Sequence, residues 1–237
     1  MTETLKKSAS STLSVLIPVY NERATIQTLI SRVKAANIGQ TGKEIIVIDD
    51  GSVDGTFELV ETISDIRLLR HEKNQGKGAA VRSGIAAATG DIIIIQDGDL
   101  EYDPNDYLSV IEPIMKGEAE VVYGSRRLNR NNKQHSAFRF YLGGAVLTFI
   151  TNLLYPGCDL TDEPTCYKAF RSSLLKDIDL RCTKFEFCPE VTAKILRRKV
   201  KIMEVPISYY PRSIEQGKKI GWRDGIHAVW TLLRYRL

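Results

Sequence analysis

The sequence predicts an α/β fold with a mostly parallel central sheet and helices on both faces. Two observations carry this prediction. Short, continuous runs of β-branched residues, such as 92–95, indicate strands that are buried on both faces. Segments of about ten to fifteen residues with helical spacing of apolar side chains separate these runs, which is typical of β–α–β units. The composition agrees, because 43% hydrophobic and 26% charged residues describe an ordinary globular protein.

The elements of the first half follow one another in a regular order. The apolar runs predict strands over 13–19, 44–48, 66–69, 91–97 and 120–123. Asn21 resembles the cap of a helix, because Ile26, Leu29, Ile30 and Val33 follow it with the spacing of one helical face. Further helices are predicted over 57–63, 76–88 and 105–115.

The pattern changes in the second half. A basic polar stretch, 126–139, precedes an uncharged segment, 140–158, which contains too many glycine, proline and polar residues to favour a membrane span. A late strand is predicted over 200–205. With no repeat or linker visible, we predict a flexible N-terminus (1–11) and one domain (12–237). Amphipathic helices at about 139–155 and 221–237 face a membrane in this interpretation, and ordinary core helices are the alternative.

Charge and cysteine usage indicate the compartment and the partner. From Lys194 onward there are eleven Lys or Arg residues against three acidic ones, so this end of the chain favours an anionic partner. The N-terminus lacks the apolar region of a signal peptide. The four cysteines have no zinc-type spacing and are expected to be reduced thiols. We therefore expect a cytoplasmic protein, peripheral on the cytosolic face of a membrane.

Acidic side chains collect where the predicted strands end. They lie in 20–22, 49–54 and 97–101, and ligands of parallel sheets bind beyond these carboxyl ends. Each cluster alone is also typical of a solvated turn. The spacing of Asp97 and Asp99 suits one hard divalent cation, Mg²⁺ or Mn²⁺, shared with a diphosphate. No phosphate-binding P-loop, dinucleotide fingerprint, hydrolase elbow or zinc-protease motif is present.

Five motifs in succession resemble those of family 2 glycosyltransferases with the GT-A fold. They are VLIPVYNE (15–22), IDDGS (48–52), NQGKG (74–78), QDGDLE (96–101) and YGSR (123–126). The later stretches FEFCPE (185–190), VPISYYPRS (205–213) and GKK (217–219) resemble more narrowly the polyprenyl-phosphate, or dolichyl-phosphate, mannose and glucose synthases. The resemblance extends over about 12–237.

The resemblance implies a role for each matching residue. The metal would be held by Asp97, Asp99 and Glu101, although the third position is often Gln in the family. The residues implied in binding the donor nucleotide sugar are Pro18, Tyr20, Glu22, Val47, Asp49, Ser52, Lys77, Gln96, Asp97 and Gly98.

The catalytic and acceptor sets implied by the resemblance are rich in arginine. A planar guanidinium binds phosphate oxygens through two parallel hydrogen bonds, which suits the meeting of two anionic substrates. The residues implied in catalysis are Asp97, Asp99, Arg126, Arg139 and Arg212, and those implied in binding acceptor phosphate or diphosphate are Arg126, Arg139, Arg212 and Lys218.

The implied activity is metal-dependent, inverting transfer of a hexose from a nucleotide diphosphate sugar to polyprenyl phosphate. GDP-mannose is the first choice of donor, and UDP-glucose and UDP-N-acetylhexosamine remain open. The other expected partners are a membrane surface and a small membrane-anchoring subunit, with no nucleic acid. Processive polysaccharide synthases with the same fold resemble one another in a Q-x-x-R-W motif. This motif is missing from the sequence, which disfavours that alternative. A catalytically inactive, sugar-nucleotide-binding subunit of a membrane complex is the non-enzyme alternative.

Overall fold

A seven-stranded sheet organises the computed structural model, which describes residues 11–132, 138–212 and 221–236. The strand order is β3-β2-β1-β4-β6-β5-β7. The strands are β1 (Thr12–Val19), β2 (Gly42–Asp49), β3 (Arg67–Arg70), β4 (Ile92–Ile95), β5 (Val121–Ser125), β6 (Lys168–Arg171) and β7 (Ile202–Pro206).

Most neighbouring strands in this sheet run parallel. Strands β3, β2, β1 and β4 are all parallel to one another, and β5 pairs in parallel with β7. Only β6, between β4 and β5, is antiparallel to both neighbours. The predicted, mostly parallel α/β sheet is confirmed. Strand β6 was not predicted, because four residues are too short to show a clear periodicity.

Helices cover both faces of the sheet. Alternate residues of β1 show this directly, because Leu16 packs in one hydrophobic cluster, with Val81 and Phe187, while Val15 and Ile17 pack in the other. The helices are α1 (Ile26–Ala35), α2 (Thr56–Glu61), α3 (Lys77–Ala87), α4 (Tyr107–Met115, after a 3₁₀ turn at Pro104–Asp106), α5 (Phe138–Leu154), α6 (Ser172–Lys176), α7 (Phe187–Arg197) and α8 (Trp222–Arg236).

Asn21 is not the cap of the first helix, so this prediction was wrong. Helix α1 begins at Ile26, and the residue at its N-cap is Thr25. Asn21 instead has a left-handed backbone (φ 52°), which Asn tolerates better than most residues. Its side-chain Oδ1 accepts a hydrogen bond from the backbone amide of Val53 (2.9 Å), and the backbone amide of Asn21 donates to Ser52 Oγ (2.9 Å). Asn21 therefore ties together the loops that follow β1 and β2.

Helices α5 and α8 each have a buried side and an exposed apolar side. Tyr155, just after α5, donates a hydrogen bond to the Leu232 carbonyl oxygen in α8 (3.1 Å), and Leu232 is fully buried. On the outside, Phe149 is 67% exposed and Trp230 is 62% exposed. Within the described ranges, neither these helices nor any other combine the length and apolarity of a membrane span.

A lysine closes the C-terminal end of α1. The last carbonyl groups of a helix lack partners within the helix. Lys43 Nζ, at the start of β2, donates hydrogen bonds to the carbonyl oxygens of Val33 (2.6 Å), Lys34 (3.1 Å) and Ala36 (2.7 Å). This ammonium group links the first helix to the second strand.

We expect Lys43→Met to lower the free energy of unfolding by about 1–2 kcal/mol, because three carbonyl oxygens lose a charged donor while the aliphatic stem is kept. Urea denaturation measures the change. Lys116→Met is the matched control, because the Lys116 side chain is exposed and pairs with the exposed Glu112. We expect the control to unfold close to the wild type, and equal losses in both variants would contradict the capping role.

Candidate functional site

Polar side chains meet at the carboxyl ends of β2, β1 and β4, which are neighbours in the sheet. Asp49 ends β2, and Asp97 and Asp99 follow β4. Glu22 follows β1, and its amide donates to Thr56 Oγ1 (3.0 Å) at the start of α2. The structure therefore brings the three acidic clusters of the sequence to one edge.

Asp49 has one satisfied and one unsatisfied carboxylate oxygen. The side chain is fully buried, and its Oδ2 accepts a hydrogen bond from the Ser52 amide (3.2 Å). Its Oδ1 is buried and meets no hydrogen-bond donor in the described part of the chain. A buried acceptor without a donor is costly, so this oxygen is suited to receive an N–H or O–H group from a ligand.

The other predicted donor residues have different surroundings. Pro18 and Val47 are buried in their strands, and the Val47 side chain packs in the core. Tyr20 is partly exposed beyond β1. Gln96 is buried and accepts from the Tyr107 hydroxyl (2.9 Å). At Gly98 a Cβ atom would lie 2.8 Å from Val19 Cγ1, so glycine is required for the close approach of the two strand ends.

Asp50, the neighbour of Asp49, holds the turn that leads into α3. Its Oδ1 lies 2.7 Å from His71 Nδ1 and accepts from the Gln75 amide (3.0 Å), and its Oδ2 accepts from the Gly76 amide (2.7 Å). His71 Nε2 also contacts Ser83 Oγ (2.9 Å). From the sequence, Asp50 is recognised only as a member of an acidic cluster. Its role in the turn could not be predicted, because the groups it contacts are 21–26 residues away in the chain.

The start of α3 is fixed from a second side by the segment before α7. The amides of Gly78 and Ala79 donate to the carbonyl oxygens of Lys184 (2.9 Å) and Thr183 (3.1 Å). Gly76 has φ +97°, and a Cβ atom there would clash with the Thr183 carbonyl oxygen. Glu190, which is buried, accepts from the amides of 181 (2.8 Å) and 182 (2.6 Å) and so anchors this segment.

Lys77, the first residue of α3, is aimed at the end of β4. Its Nζ forms an ion pair with Asp97 Oδ1 and donates to Cys166 Sγ (3.0 Å). Burial disfavours the charged ammonium, but the attraction of Asp97 outweighs it and holds the pKa of Lys77 well above its ordinary value. The turn at 76–78 thus places Lys77, which stays protonated, against Asp97, a predicted metal ligand.

Arg212 is the second cation at this edge. Its Nη2 donates to Asp99 Oδ2 (2.6 Å), and its Nη1 donates to Glu22 Oε2 (3.1 Å). Burial, together with the charges of Asp97 and Glu101, raises the pKa of Asp99 to about 7, although Arg212 opposes this shift. The Nε of Arg212 is buried and has no acceptor among the described residues.

Glu101 anchors the chain that carries Arg212. Its Oε2 accepts from the Tyr209 hydroxyl (2.9 Å), and its Oε1 accepts from the Arg212 amide (2.7 Å). Both oxygens of this predicted metal ligand therefore have protein donors. No three or more His, Cys, Asp and Glu side chains form a metal-binding group within the ranges the structure describes. The three-carboxylate metal site stays a prediction.

Arg126, just after the end of β5, is held by a carboxylate, Asp162, that lies in none of the sequence motifs. Its Nε and Nη2 donate to the two oxygens of Asp162 (2.7 Å each), which is fully buried. Burial opposes the charge of Arg126, but Asp162 outweighs it and raises the pKa of Arg126 well above its ordinary value. Glu204 in turn accepts from the amides of Thr161 (2.7 Å) and Asp162 (3.0 Å).

Two predicted site residues have no side chain among those that the structure describes. Arg139 is in α5, but its side chain is not among the described ones, and Lys218 lies outside the described residues. Their predicted phosphate contacts stay predictions.

Comparison with known proteins identifies a family model, Glycosyl transferase family 2, that matches residues 14–179. One similar protein is UDP-N-acetylglucosamine–dolichyl-phosphate N-acetylglucosaminyltransferase of Methanococcus voltae, which is 29% identical over 90% of this chain and 92% of its own. Another is dolichol-phosphate mannosyltransferase of Pyrococcus furiosus, 29% identical over 88% of this chain but only 59% of its own length.

Solved structures with the same fold are of glucosyl-3-phosphoglycerate synthase from Mycobacterium tuberculosis. The complex with Mn²⁺, UDP and phosphoglyceric acid has a TM-score of 0.73 and 23% identity, covering 95% of this chain and 78% of that one. The complex with Mg²⁺ and UDP has a TM-score of 0.68. At this identity the likeness shows the GT-A fold.

The neighbours Asp49 and Asp50 should respond oppositely to loss of charge. We expect Asp50→Asn to lower the free energy of unfolding by about 1–3 kcal/mol, because an amide NH₂ cannot accept from the backbone amides that Asp50 now holds. Asp49→Asn should unfold no earlier than the wild type, because its amide oxygen still accepts from Ser52 and a buried charge is removed. Urea denaturation measures the free energy of unfolding of both variants. Equal losses would contradict the interpretation that Asp49, unlike Asp50, keeps one carboxylate oxygen for a ligand.

Proposed function

The chain belongs to glycosyl transferase family 2, and we propose that it transfers a hexose from a nucleotide diphosphate sugar to a polyprenyl phosphate. The observation that carries the donor half of this proposal is the buried Asp49 oxygen, which meets no donor among the described residues. Asp49 ends β2 at the same sheet edge where Asp97 and Asp99 follow β4, with β1 between the two strands. In this proposal Asp49 accepts a hydrogen bond from the nucleoside, and the residues after β4 bind the diphosphate that is attached to it.

The carboxylates of Asp97 and Asp99 fit a divalent cation. Each carboxylate already forms an ion pair with a protein cation, Lys77 or Arg212, which shows that this sheet edge attracts positive charge. Carboxylate oxygens are also the ligands that Mg²⁺ and Mn²⁺ prefer. When bound there, the metal would neutralise the charge of the leaving diphosphate. Lys77 and Arg212 then contribute their charges to the same phosphates.

The acceptor chemistry needs no general base. The second pKa of a phosphate monoester is about 6, so the lipid phosphate is mostly dianionic at neutral pH. One of its oxygens attacks the anomeric carbon from the face opposite the diphosphate; the new C–O bond forms as the bond to the diphosphate breaks, which inverts the configuration. Arg126, held rigidly by Asp162, and Arg212 hold the two anions together. Arg139 and Lys218 are proposed to assist them.

Mannose from GDP-mannose is our first choice of sugar, with UDP-glucose and UDP-N-acetylhexosamine as the alternatives. The relatives support the acceptor class more than the sugar, because one is named for N-acetylglucosamine and another for mannose, while both are named for a dolichol phosphate.

Transfer from labelled GDP-mannose, UDP-glucose and UDP-N-acetylglucosamine into a polyprenyl phosphate in detergent tests the proposal. We expect one donor to give a lipid-soluble product that requires Mn²⁺ or Mg²⁺. In calorimetry, Asp49→Asn should weaken binding of the matching nucleoside diphosphate roughly 5- to 150-fold, which corresponds to about 1–3 kcal/mol. Glu61→Gln, an exposed site on α2, is the matched control and should bind as the wild type does.

Each failure of this experiment has a distinct meaning. Donor binding without transfer to the lipid would contradict the proposed acceptor. No binding of any donor would contradict the proposed enzyme and favour an inactive subunit of a membrane complex.

The exposed apolar side of α5 and α8 supports a membrane surface as a partner. Its members recur at helical spacing on both helices, and the two helices pack against each other. We propose that this side lies in the interfacial plane on the cytosolic face, where the acceptor lipid is found, with a small membrane-anchoring subunit as a further partner. The exposed members are Tyr141, Leu142, Val146, Phe149, Leu153, Ile226, Trp230 and Leu233.

We expect the double variant Phe149→Asp, Trp230→Asp to lose most of its sedimentation with vesicles of phosphatidylcholine and phosphatidylglycerol, because charged side chains oppose insertion into the interface. The matched control is Leu108→Asp, Met115→Asp, which changes exposed apolar residues of α4 instead. Undiminished sedimentation of the first variant, or equal loss in the control, would contradict the proposed surface.

A further inference from the structure

Two cysteines lie in contact beside the candidate donor site. Cys166 precedes β6 and Cys188 is in the first turn of α7, and their sulfur atoms are 4.0 Å apart. Cys188 is buried, whereas Cys166 is partly exposed. The proposed transfer reaction uses neither thiol.

The surroundings of the pair favour thiol chemistry. Lys77 Nζ donates to Cys166 Sγ (3.0 Å), and Lys168, which is fully buried, lies near the same pair. The contact with Cys166 and the charges of Lys168 and Lys77 outweigh burial and lower the pKa of Cys188, whereas the same contact and burial raise the pKa of Cys166. A thiol with a lowered pKa is the more reactive partner in oxidation and disulfide chemistry.

The remaining two cysteines provide an internal contrast. Burial raises the pKa of Cys158 to about 11, and burial also raises the pKa of Cys182. Both are buried, and neither contacts another thiol in the described part of the chain. Because each lacks a contacting thiol among the described residues, these two cysteines are expected to stay reduced.

We propose that Cys166 and Cys188 are an oxidisable pair that forms a reversible disulfide with a hydroperoxide as oxidant. One thiol attacks the O–O bond of the peroxide and becomes a sulfenic acid, releasing the alcohol, or water if the oxidant is hydrogen peroxide. The second thiol then attacks the sulfenic sulfur, the S–S bond forms and water leaves. Two thiols lose two electrons and two protons in total, and a dithiol reductant reverses the change.

The disulfide would reach the donor site through Lys77. A disulfide requires an S–S distance of about 2.05 Å, so the sulfurs must approach by roughly 2 Å from their present 4.0 Å. Cys166 Sγ also accepts the hydrogen bond of Lys77 Nζ, so its conversion from a thiol to a disulfide sulfur changes a contact of the lysine that holds Asp97. Oxidation should therefore weaken nucleotide binding. This consequence rests on the proposed function, whereas formation of the disulfide does not.

Peptide mapping tests the covalent step independently of activity. In a Cys158→Ala background, the tryptic peptide 140–168 contains Cys166 as its one cysteine, and 185–194 contains Cys188. After treatment with hydrogen peroxide and alkylation of the remaining thiols, we expect these peptides joined, with a mass two hydrogens below their sum. Dithiothreitol should separate them. Recovery of both peptides in alkylated form would overturn the proposal.

Calorimetry with the nucleoside diphosphate that the reduced enzyme binds tests the consequence. We expect peroxide to raise the Kd several-fold in the Cys158→Ala enzyme, and dithiothreitol to restore it. The same enzyme with Cys188→Ala added should keep its Kd after peroxide. A joined peptide pair with an unchanged Kd would overturn the coupling to the donor site. Absence of nucleotide binding by the reduced enzyme would count against the proposed function, and the peptide map would still decide the disulfide.

Discussion

The arrangement of the site depends on how buried carboxylates at one sheet edge are neutralised. Asp97 and Asp99 are brought close together by the turn after β4, and two like charges in a buried place repel each other. Lys77 balances Asp97, and Arg212 balances Asp99 and Glu22. Side chains from the segments after β1, β4 and β7 and from the start of α3 must therefore meet at one point.

The backbone around this edge is built to deliver the two cations. Two sets of hydrogen bonds hold the start of α3: Asp50 accepts from the Gly76 amide, and the carbonyl groups of 183 and 184 accept from the amides of 79 and 78. Together they set the position of Lys77. Glu101 performs the corresponding task for Arg212 by accepting from its amide. Several acidic residues of the sequence thus accept hydrogen bonds from the protein's own backbone, whereas Asp49 Oδ1 meets no donor in the described part of the chain.

Local sequence patterns predicted the sheet and the residues at its edge, but they did not reveal which partner each residue has. Buried strands such as β1 and β4 are continuous apolar runs, and only Gly98 separates Asp97 from Asp99 in the chain, so both features can be seen in the sequence. The pairing of Arg126 with Asp162 spans 36 residues and requires the fold. Asn21 was assigned by a local capping rule, which failed because the chain needs a left-handed residue there to join two loops. Long-range contacts of this kind have no local signature.

The measurement that tests this account most directly is calorimetric titration of Mn²⁺ into the protein, with and without the nucleoside diphosphate of its donor. Because Lys77 and Arg212 already neutralise the carboxylates, the account predicts weak Mn²⁺ binding alone and much tighter binding once diphosphate oxygens complete the site. Reciprocity requires Mn²⁺ to tighten nucleotide binding by the same factor. Mn²⁺ affinity that is the same with and without nucleotide would contradict the account.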